Sequence, residues 1–131
     1  MDIGALKQDD YQVWVTFLDA EMLIRYVSRS ELFSLAKQAT KRSWDRRHQA
    51  VEEVDYDESN RLLGRAAVRG WEGITMEGKE FLYTPENCDF LMTRWGEFSR
   101  FVNEACVDLQ GLVAEERMQK EKNSLVTSGH G

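Results

Sequence analysis

Residues 69–87, RGWEGITMEGKEFLYTPEN, form the stretch around which the rest of the chain is organised. Gly70 and Gly73 flank Trp71, and Gly78 follows further along. Glycine adopts positive φ angles without steric cost, so this spacing predicts sharp changes of chain direction. We therefore expect the stretch to end one helix, make two turns and begin the next helix.

The next helix is expected to begin at Thr84-Pro85-Glu86. A threonine hydroxyl caps a first turn well, proline is favoured at the first helical position, and an acid suits the positive end of a helix. Large apolar side chains would hold the stretch against the helices on either side: Trp71, Ile74, Phe81, Leu82 and Tyr83. These residue types predict a structural centre and indicate no reaction.

Towards the N-terminus, residues 13–18 and 21–27 are rich in β-branched and aromatic side chains, and the short polar break Asp19-Ala20 separates them. Two such runs across a short turn predict an antiparallel hairpin. One face would carry Val13, Val15 and Phe17, and the other would carry Trp14 and Thr16. Because a lone hairpin is marginally stable in water, we expect it to pack on helices or to join another sheet.

The hairpin leads into a first helix with a capping box, in which Ser28 is the N-cap and Glu31 follows three residues later. This helix is expected to run to about Trp44. Residues 37–47 contain five bases and one acid, whereas residues 52–58 contain five acids and no base. We interpret this charge switch as a solvated connection.

Two more helices surround the central stretch. One covers about residues 58–68, with Asp55 or Asp57 as its cap, and Gly70 would end it as a C′ glycine. The other is short and covers residues 85–94. The glycines inside the helical patterns, Gly64 and Gly111, are explained either by close helix approach or by no structural need.

The final helix has the most regular pattern in the sequence. Its apolar residues recur every three or four positions: Phe98, Phe101, Val102, Ala105, Cys106, Leu109, Leu112 and Val113. Such a stripe normally packs on a core. We expect its aromatic half to be core, whereas residues 109–113 could reach a partner.

These elements predict an α+β fold, a mostly helical single domain with an N-terminal antiparallel β-hairpin. Residues 1–12 would be a flexible N-terminus, residues 13–113 the globular domain, and residues 114–131 a polar, disordered tail. A chain of 131 residues can bury one core of this kind.

The net charge of −6 and the pI of about 5.0 argue against a surface that binds nucleic acid as a whole. No signal peptide or membrane-length apolar run is apparent, so we expect a cytosolic protein without membrane contact. The two cysteines fit reduced thiols better than a disulfide or a zinc site.

No catalytic, cofactor-binding or metal-ligating constellation is predicted. Neither histidine has a Cys, Ser or second His at a triad or ligand spacing. The acidic run 52–58 lacks the central glycine of a calcium loop, and phosphate-binding glycine motifs are absent. We therefore expect a protein that is not an enzyme, with an unrecognised hydrolase as the third-ranked alternative.

A basic cluster around a tryptophan supports the second-ranked alternative, a small adaptor or regulator that binds nucleic acid. Its residues are Lys37, Lys41, Arg42, Trp44, Arg46 and Arg47. Bases interleaved with an aromatic side chain can form a stacking site for single strands. The adjacent acids nearly cancel this field, and helical i,i+4 pairing would explain the bases equally well.

The central stretch resembles the tail assembly chaperones of long-tailed bacteriophages and prophages. The shared order is Trp71 and Gly73, then Gly78, then the helix start Tyr83-Thr84-Pro85-Glu86-Asn87. The resemblance extends over about residues 13–109, and the basic stretch 37–47 has no counterpart in it. It implies a non-enzymatic chaperone that coats the helical tape-measure protein and recruits tail-tube subunits.

The resemblance also implies self-association, since a long client must be covered by many copies. We expect the contacts at the edge of the hairpin or at residues 109–113. For the client we predict an apolar groove between the Trp71 stretch and the closing helix, lined by Trp71, Phe81, Phe101, Leu109 and Leu112. The competing and favoured interpretation makes Trp71 a plain core residue that closes the turn.

Overall fold

The computed structural model describes residues 11–128, with side chains described as far as residue 122. Most of the predicted flexible N-terminus, residues 1–10, therefore lies outside the described residues. The elements are β1 (Gln12–Phe17), β2 (Ala20–Arg25), α1 (Arg29–Gln38), β3 (Thr40–Trp44), β4 (Ala50–Val54), α2 (Tyr56–Ala67), β5 (Val68–Glu72), β6 (Thr75–Met76), β7 (Lys79–Glu80), α3 (Pro85–Arg94) and α4 (Gly96–Ser128). The predicted α+β class with an N-terminal hairpin is confirmed.

The N-terminal hairpin is part of a three-stranded antiparallel sheet with the order β1-β2-β5. The β1–β2 turn is formed by Leu18 and Asp19, one residue earlier than predicted, and Leu18 has a φ of 55°. β5 pairs with β2, with Met22 opposite Trp71. The expectation that the hairpin joins another strand is thus met by a strand that the sequence pattern did not reveal.

β5 occupies the position predicted for a helix end. α2 ends at Ala67, and Val68 leaves it in an extended conformation with φ −88° and ψ 122°. Gly70 is consequently a strand residue and not a C′ glycine. The backbone groups of β5 form hydrogen bonds with β2, so they do not need the bonds that a further helical turn would supply.

The helix caps are as predicted at three starts. The Ser28 hydroxyl accepts a hydrogen bond from the Glu31 N–H at 3.1 Å, and the Asp55 carboxylate accepts one from the Glu58 N–H at 3.1 Å. Thr84 accepts from the Asn87 N–H at 3.0 Å, with proline at the start of α3. Each cap satisfies an N–H that has no partner within its helix.

The stretch that follows α1 is a second hairpin, which we call the Trp44 hairpin (residues 40–54). The helix predicted to reach Trp44 ends at Gln38, and β3 and β4 pair antiparallel. In this register Lys41 faces Glu53 and Arg42 faces Glu52. The charge switch predicted as a connection is therefore a cross-strand arrangement, in which opposite charges face one another and stabilise the ladder.

A buried arginine joins the sheet to two helices. Arg25 is 7% exposed, and its Nε donates to the Ala66 carbonyl at 2.8 Å. Its Nη2 forms an ion pair with Glu31 at 2.7 Å. Removing one partner of a buried pair leaves a buried charge uncompensated, so this contact constrains how β2, α1 and α2 are placed.

The close approach of α2 and α3 explains one glycine. A Cβ added at Gly64 would lie 2.5 Å from Met92 Cγ and 3.1 Å from Cys88 Sγ. The close-approach interpretation is thus confirmed for Gly64. At Gly111 an added Cβ would meet nothing within 4 Å.

The central stretch makes both predicted turns. Gly73 and Gly78 have φ angles of 88° and 79°, and the second turn joins β6 to β7. The indole of Trp71 is 7% exposed, and its Nε1 donates to the Phe81 carbonyl at 2.6 Å. The rings of Phe81, Tyr83 and Phe98 surround it at centroid distances of 6.1, 5.1 and 6.0 Å. We call these four residues the Trp71 cluster.

The final helix α4 supplies the centre of the core. Phe98 and Val102 are completely buried, and Cys106, Leu109 and Val113 are nearly so. The helix does not stop at Val113 but continues to Ser128. Residue 114, where a disordered tail was predicted to begin, therefore lies within the helix. Long polar residues with good helix propensity continue the helix beyond the part that packs on the sheet.

Candidate functional site

An apolar groove of about 220 Å³ lies between the N-terminal hairpin and α4. We call it the β1–α4 groove. Its lining consists of Val13, Val15, Ile24, Phe101, Glu104, Ala105, Asp108, Leu109 and Leu112. The strands supply the three β-branched side chains and the helix supplies the rest.

Two simple periodicities bring these side chains together. Val13 and Val15 lie two positions apart, so they share the face of β1 that also carries the buried Phe17. On α4, Phe101, Ala105 and Leu112 recur at helical spacing along one side. The groove is therefore the place where the inner face of an edge strand meets the margin of the apolar stripe of α4.

The described residues fill the groove only in part. Leu109 at its floor is 1% exposed, whereas Leu112 is 51% exposed. Among the described strands, β1 pairs with β2 alone and is the edge of its sheet. An exposed leucine beside an open strand edge is apolar surface that a partner could cover.

The rim of the groove is acidic. Glu104 and Asp108 are exposed, lie one helical turn apart and line the groove. Within the described part of the chain neither carboxylate forms an ion pair. The groove thus combines an apolar floor with a negative margin, a combination that favours a partner with apolar side chains next to basic ones.

The structure brings together three of the five residues predicted for a client groove. Phe101, Leu109 and Leu112 line the β1–α4 groove, but Trp71 and Phe81 do not. Trp71 belongs to the core cluster described above, which agrees with the interpretation favoured from sequence. This groove lies between the hairpin and α4. The client groove expected beside the Trp71 stretch stays a prediction.

Sequence reasoning missed the strand side of the groove and its acidic rim. The alternation in residues 13–17 carries the signal for Val13 and Val15, because it marks the face of β1 that turns inward. The helix against which this face packs is set by long-range contacts, and the pattern along the chain does not reveal them.

The residues predicted for nucleic-acid binding are distributed over three elements. Lys37 lies on α1, with its Nζ 5.3 Å from the centre of the Phe33 ring. Arg42 forms an ion pair with Glu52 at 3.5 Å, and Lys41 forms one with Asp55 at 3.4 Å. Lys41 and Arg42 lie on a strand, so helical i,i+4 pairing does not explain these two bases.

The turn of the Trp44 hairpin carries the remaining members of that cluster. The Asp45 carboxylate accepts from the Arg47 N–H at 2.8 Å and from the Gln49 N–H at 2.9 Å. His48 has a φ of 57°. Trp44, at the start of this turn, is 72% exposed. The turn is fixed by Asp45 and presents an indole and two guanidinium groups to solvent.

The two cysteines are free and buried. Burial raises the pKa of Cys88 to about 12 and the pKa of Cys106 to about 11. A thiol with such a pKa is almost entirely protonated at neutral pH, and the thiolate is the reactive form. Among the described residues no group of three or more His, Cys, Asp or Glu side chains is arranged to hold a metal ion.

Comparison with known proteins gives one family. The model of the YdaY prophage protein family matches residues 25–123, from the end of β2 through most of α4. No well-characterised protein and no protein of solved structure shows significant similarity to the chain. None of the helices in the described part of the chain is long and apolar enough to cross a membrane.

Proposed function

This chain belongs to the YdaY prophage protein family, and we propose that it is a phage tail assembly chaperone. In this function it binds the tape-measure protein, keeps it soluble during assembly of the tail tube and carries out no catalysis. The family match supports a prophage-associated protein, and the proposed location is the cytoplasm of the bacterial host. The more specific function rests on the resemblance of residues 69–87 and on the groove.

The β1–α4 groove is the observation that carries the proposal. A chaperone for a long apolar helix needs an exposed apolar surface and solubilising charge. Here Phe101, Leu109 and Leu112 offer that surface, and the net charge of −6 keeps the chain soluble. Apolar side chains of the tape-measure helix would enter the groove, and basic side chains beside them would face the acidic rim.

The size of the groove supports a protein partner. Pockets for drug-sized ligands have volumes of roughly 300–1,000 Å³, whereas this groove measures about 220 Å³. A groove of this size suits one or two side chains of a larger partner.

The test is coexpression of the chain with the tape-measure protein of the same prophage, followed by affinity purification. Leu112→Glu places a charge in the groove, and because Leu112 is half exposed the melting temperature should stay nearly unchanged. We expect this variant to lose the tape-measure protein. Val107→Glu is the matched control, since Val107 is an exposed aliphatic residue of α4 that does not line the groove.

Two results would contradict the site. One is full copurification with Leu112→Glu, and the other is equal loss with Val107→Glu. The salt dependence of the complex distinguishes the alternative function. Contacts with phosphates weaken steeply as salt rises, whereas apolar contacts with a client should persist.

A further inference from the structure

Two exposed surfaces of the described residues differ in chemistry. One is the β1–α4 groove, with its apolar floor and acidic rim. The other is the Trp44 hairpin, in which every residue from 41 to 50 is exposed. A tryptophan that is 72% exposed leaves a large apolar area in water, and tryptophan is enriched at the centres of protein interfaces.

The charges of the two surfaces are complementary. Arg46 and Arg47 lie next to Trp44, and within the described residues neither forms an ion pair. Glu104 and Asp108 at the groove likewise have no ion-pair partner there. Asp45 forms no ion pair with either arginine in the described residues, and its Oδ1 accepts from two backbone N–H groups of the turn.

The shapes also agree. The groove of about 220 Å³ is suited to one large side chain, and the hairpin presents one on a turn that is already fixed. Pre-organisation of this kind reduces the entropy lost on association. The base of the hairpin is closed by the Asp55 N–H, which donates to the Ala39 carbonyl at 2.9 Å.

We propose that the Trp44 hairpin of one copy docks in the β1–α4 groove of a second copy, with the indole on Phe101 and Leu112. Arg46 and Arg47 then face Glu104 and Asp108 across the rim. The two contacting surfaces are different, so the contact is heterologous. In a pair of copies, one copy keeps its groove free and the other keeps its hairpin free. Repetition of such a contact builds open chains or rings.

On the groove side this contact uses Leu112, within residues 109–113, which is one of the two places expected from sequence. The Trp44 hairpin as the opposite surface was not expected. The contact does not depend on the proposed client, because it uses only groups of this chain. If the tape-measure protein also binds in the groove, client and second copy compete for it. A free chaperone would then cover its own apolar groove until the client displaces the neighbouring copy.

The first experiment is sedimentation velocity of the full chain over a concentration series. The unaltered protein should associate reversibly. Trp44→Ala should weaken association by about thirtyfold or more, as expected when an interface anchor is truncated. Its melting temperature should not change, because Trp44 has few contacts to lose. A protein that is monomeric at every concentration, or a Trp44→Ala variant that associates like the parent, overturns the proposal.

A mixing experiment tests the heterologous geometry. Trp44→Ala keeps an intact groove, and Leu112→Glu keeps an intact hairpin. Each alone should be monomeric, whereas an equimolar mixture should form a dimer that does not grow further. If the mixture remains monomeric, the hairpin and the groove do not bind one another. Circular dichroism of both variants confirms that the domain is folded.

Charge reversal tests the rim. The double variant Glu104→Lys/Asp108→Lys should not associate with itself, and neither should Arg46→Glu/Arg47→Glu. Mixed together they should associate through the reversed pairs. Absence of any rescue shows that these charges do not face one another, which overturns the arrangement.

Two further readouts separate this proposal from the other functions. Trp44→Ala should still copurify with the tape-measure protein, so the client experiment and the self-association experiment can fail independently. A fluorescent single-stranded oligonucleotide serves as the second probe. Should it bind the parent but not Trp44→Ala, while self-association is the same in both, the hairpin is a nucleic-acid site and the proposal is wrong.

Discussion

Trp71 and Trp44 are the same residue type in opposite surroundings. Trp71 is 7% exposed, donates a hydrogen bond to the Phe81 carbonyl and lies among three other rings. Trp44 is 72% exposed at the start of a turn, and no other ring lies against it in the described structure. The comparison shows that aromatic content alone does not locate the core. The tertiary contacts around each ring decide whether it stabilises the fold or remains available to a partner.

The largest expected effect is that of Trp71→Ala, which should reduce the free energy of unfolding by about 3–5 kcal/mol. The cause is loss of buried ring area together with a cavity that the Trp71 cluster cannot close. Chemical denaturation with matched protein concentrations measures it. The control is Trp44→Ala, for which we expect a change within about 0.5 kcal/mol. Equal losses of unfolding free energy in both variants would show that the two tryptophans contribute equally to stability.

The second effect tests packing next to the Trp71 cluster. Gly64→Ala should cost about 1–3 kcal/mol of unfolding free energy, as overpacked sites do. The reason is that the new Cβ would lie 2.5 Å from the Cγ of the buried Met92. Gly111→Ala is the matched control on the open side of a helix, and it should stabilise by roughly 0.5–1 kcal/mol because alanine favours helix. A stabilising Gly64→Ala would show that α2 and α3 are not packed this closely.

The third effect is a pH dependence that arises from buried thiols. The ordinary pKa of a cysteine is 9.0, and burial raises it to about 12 for Cys88 and about 11 for Cys106. Above pH 9 the unfolded chain therefore loses these protons before the folded chain does. It then binds fewer protons, so the free energy of unfolding falls as the pH rises from 9 towards 11. Below pH 9 this contribution is fully present.

Denaturant titrations at several pH values from 8 to 11 measure that slope. The burial of Tyr83 also raises its pKa and acts in the same direction. The double variant Cys88→Ala/Cys106→Ala removes the thiols and should flatten the slope without abolishing it. An unchanged slope in this variant would show that folding does not raise the pKa of the two thiols.

The smallest expected effect belongs to the Trp44 hairpin. Arg42→Ala removes an exposed ion pair with a separation of 3.5 Å, and both side chains are well hydrated. Such pairs contribute little, so we expect a loss of less than about 0.5 kcal/mol. Thermal unfolding at low and high salt measures it. A loss comparable with that of Trp71→Ala would mean that the hairpin is an integral part of the cooperative core.

The sequence by itself determined the features that depend on neighbours along the chain. Ser28, Asp55 and Thr84 cap their helices because each acceptor lies three residues from the N–H that it satisfies. The turns at Gly73 and Gly78 follow from the conformational freedom of glycine. The apolar stripe of α4 and the alternation of β1 likewise follow from local periodicity. These signals were sufficient for the fold class and for three of the groove residues.

Only the tertiary structure decided the rest, because the contacts involved join residues far apart in sequence. β5 became a strand since β2 was available to pair with it, although its local pattern predicted a helix end. The basic run and the acidic run became two facing strands because Asp45 fixes a turn between them. The β1–α4 groove exists because an edge strand and the end of a helical stripe meet without filling the space between them. Local preferences choose each element, whereas the burial of Trp71 and the exposure of Trp44 depend on which distant surfaces the packed chain brings together.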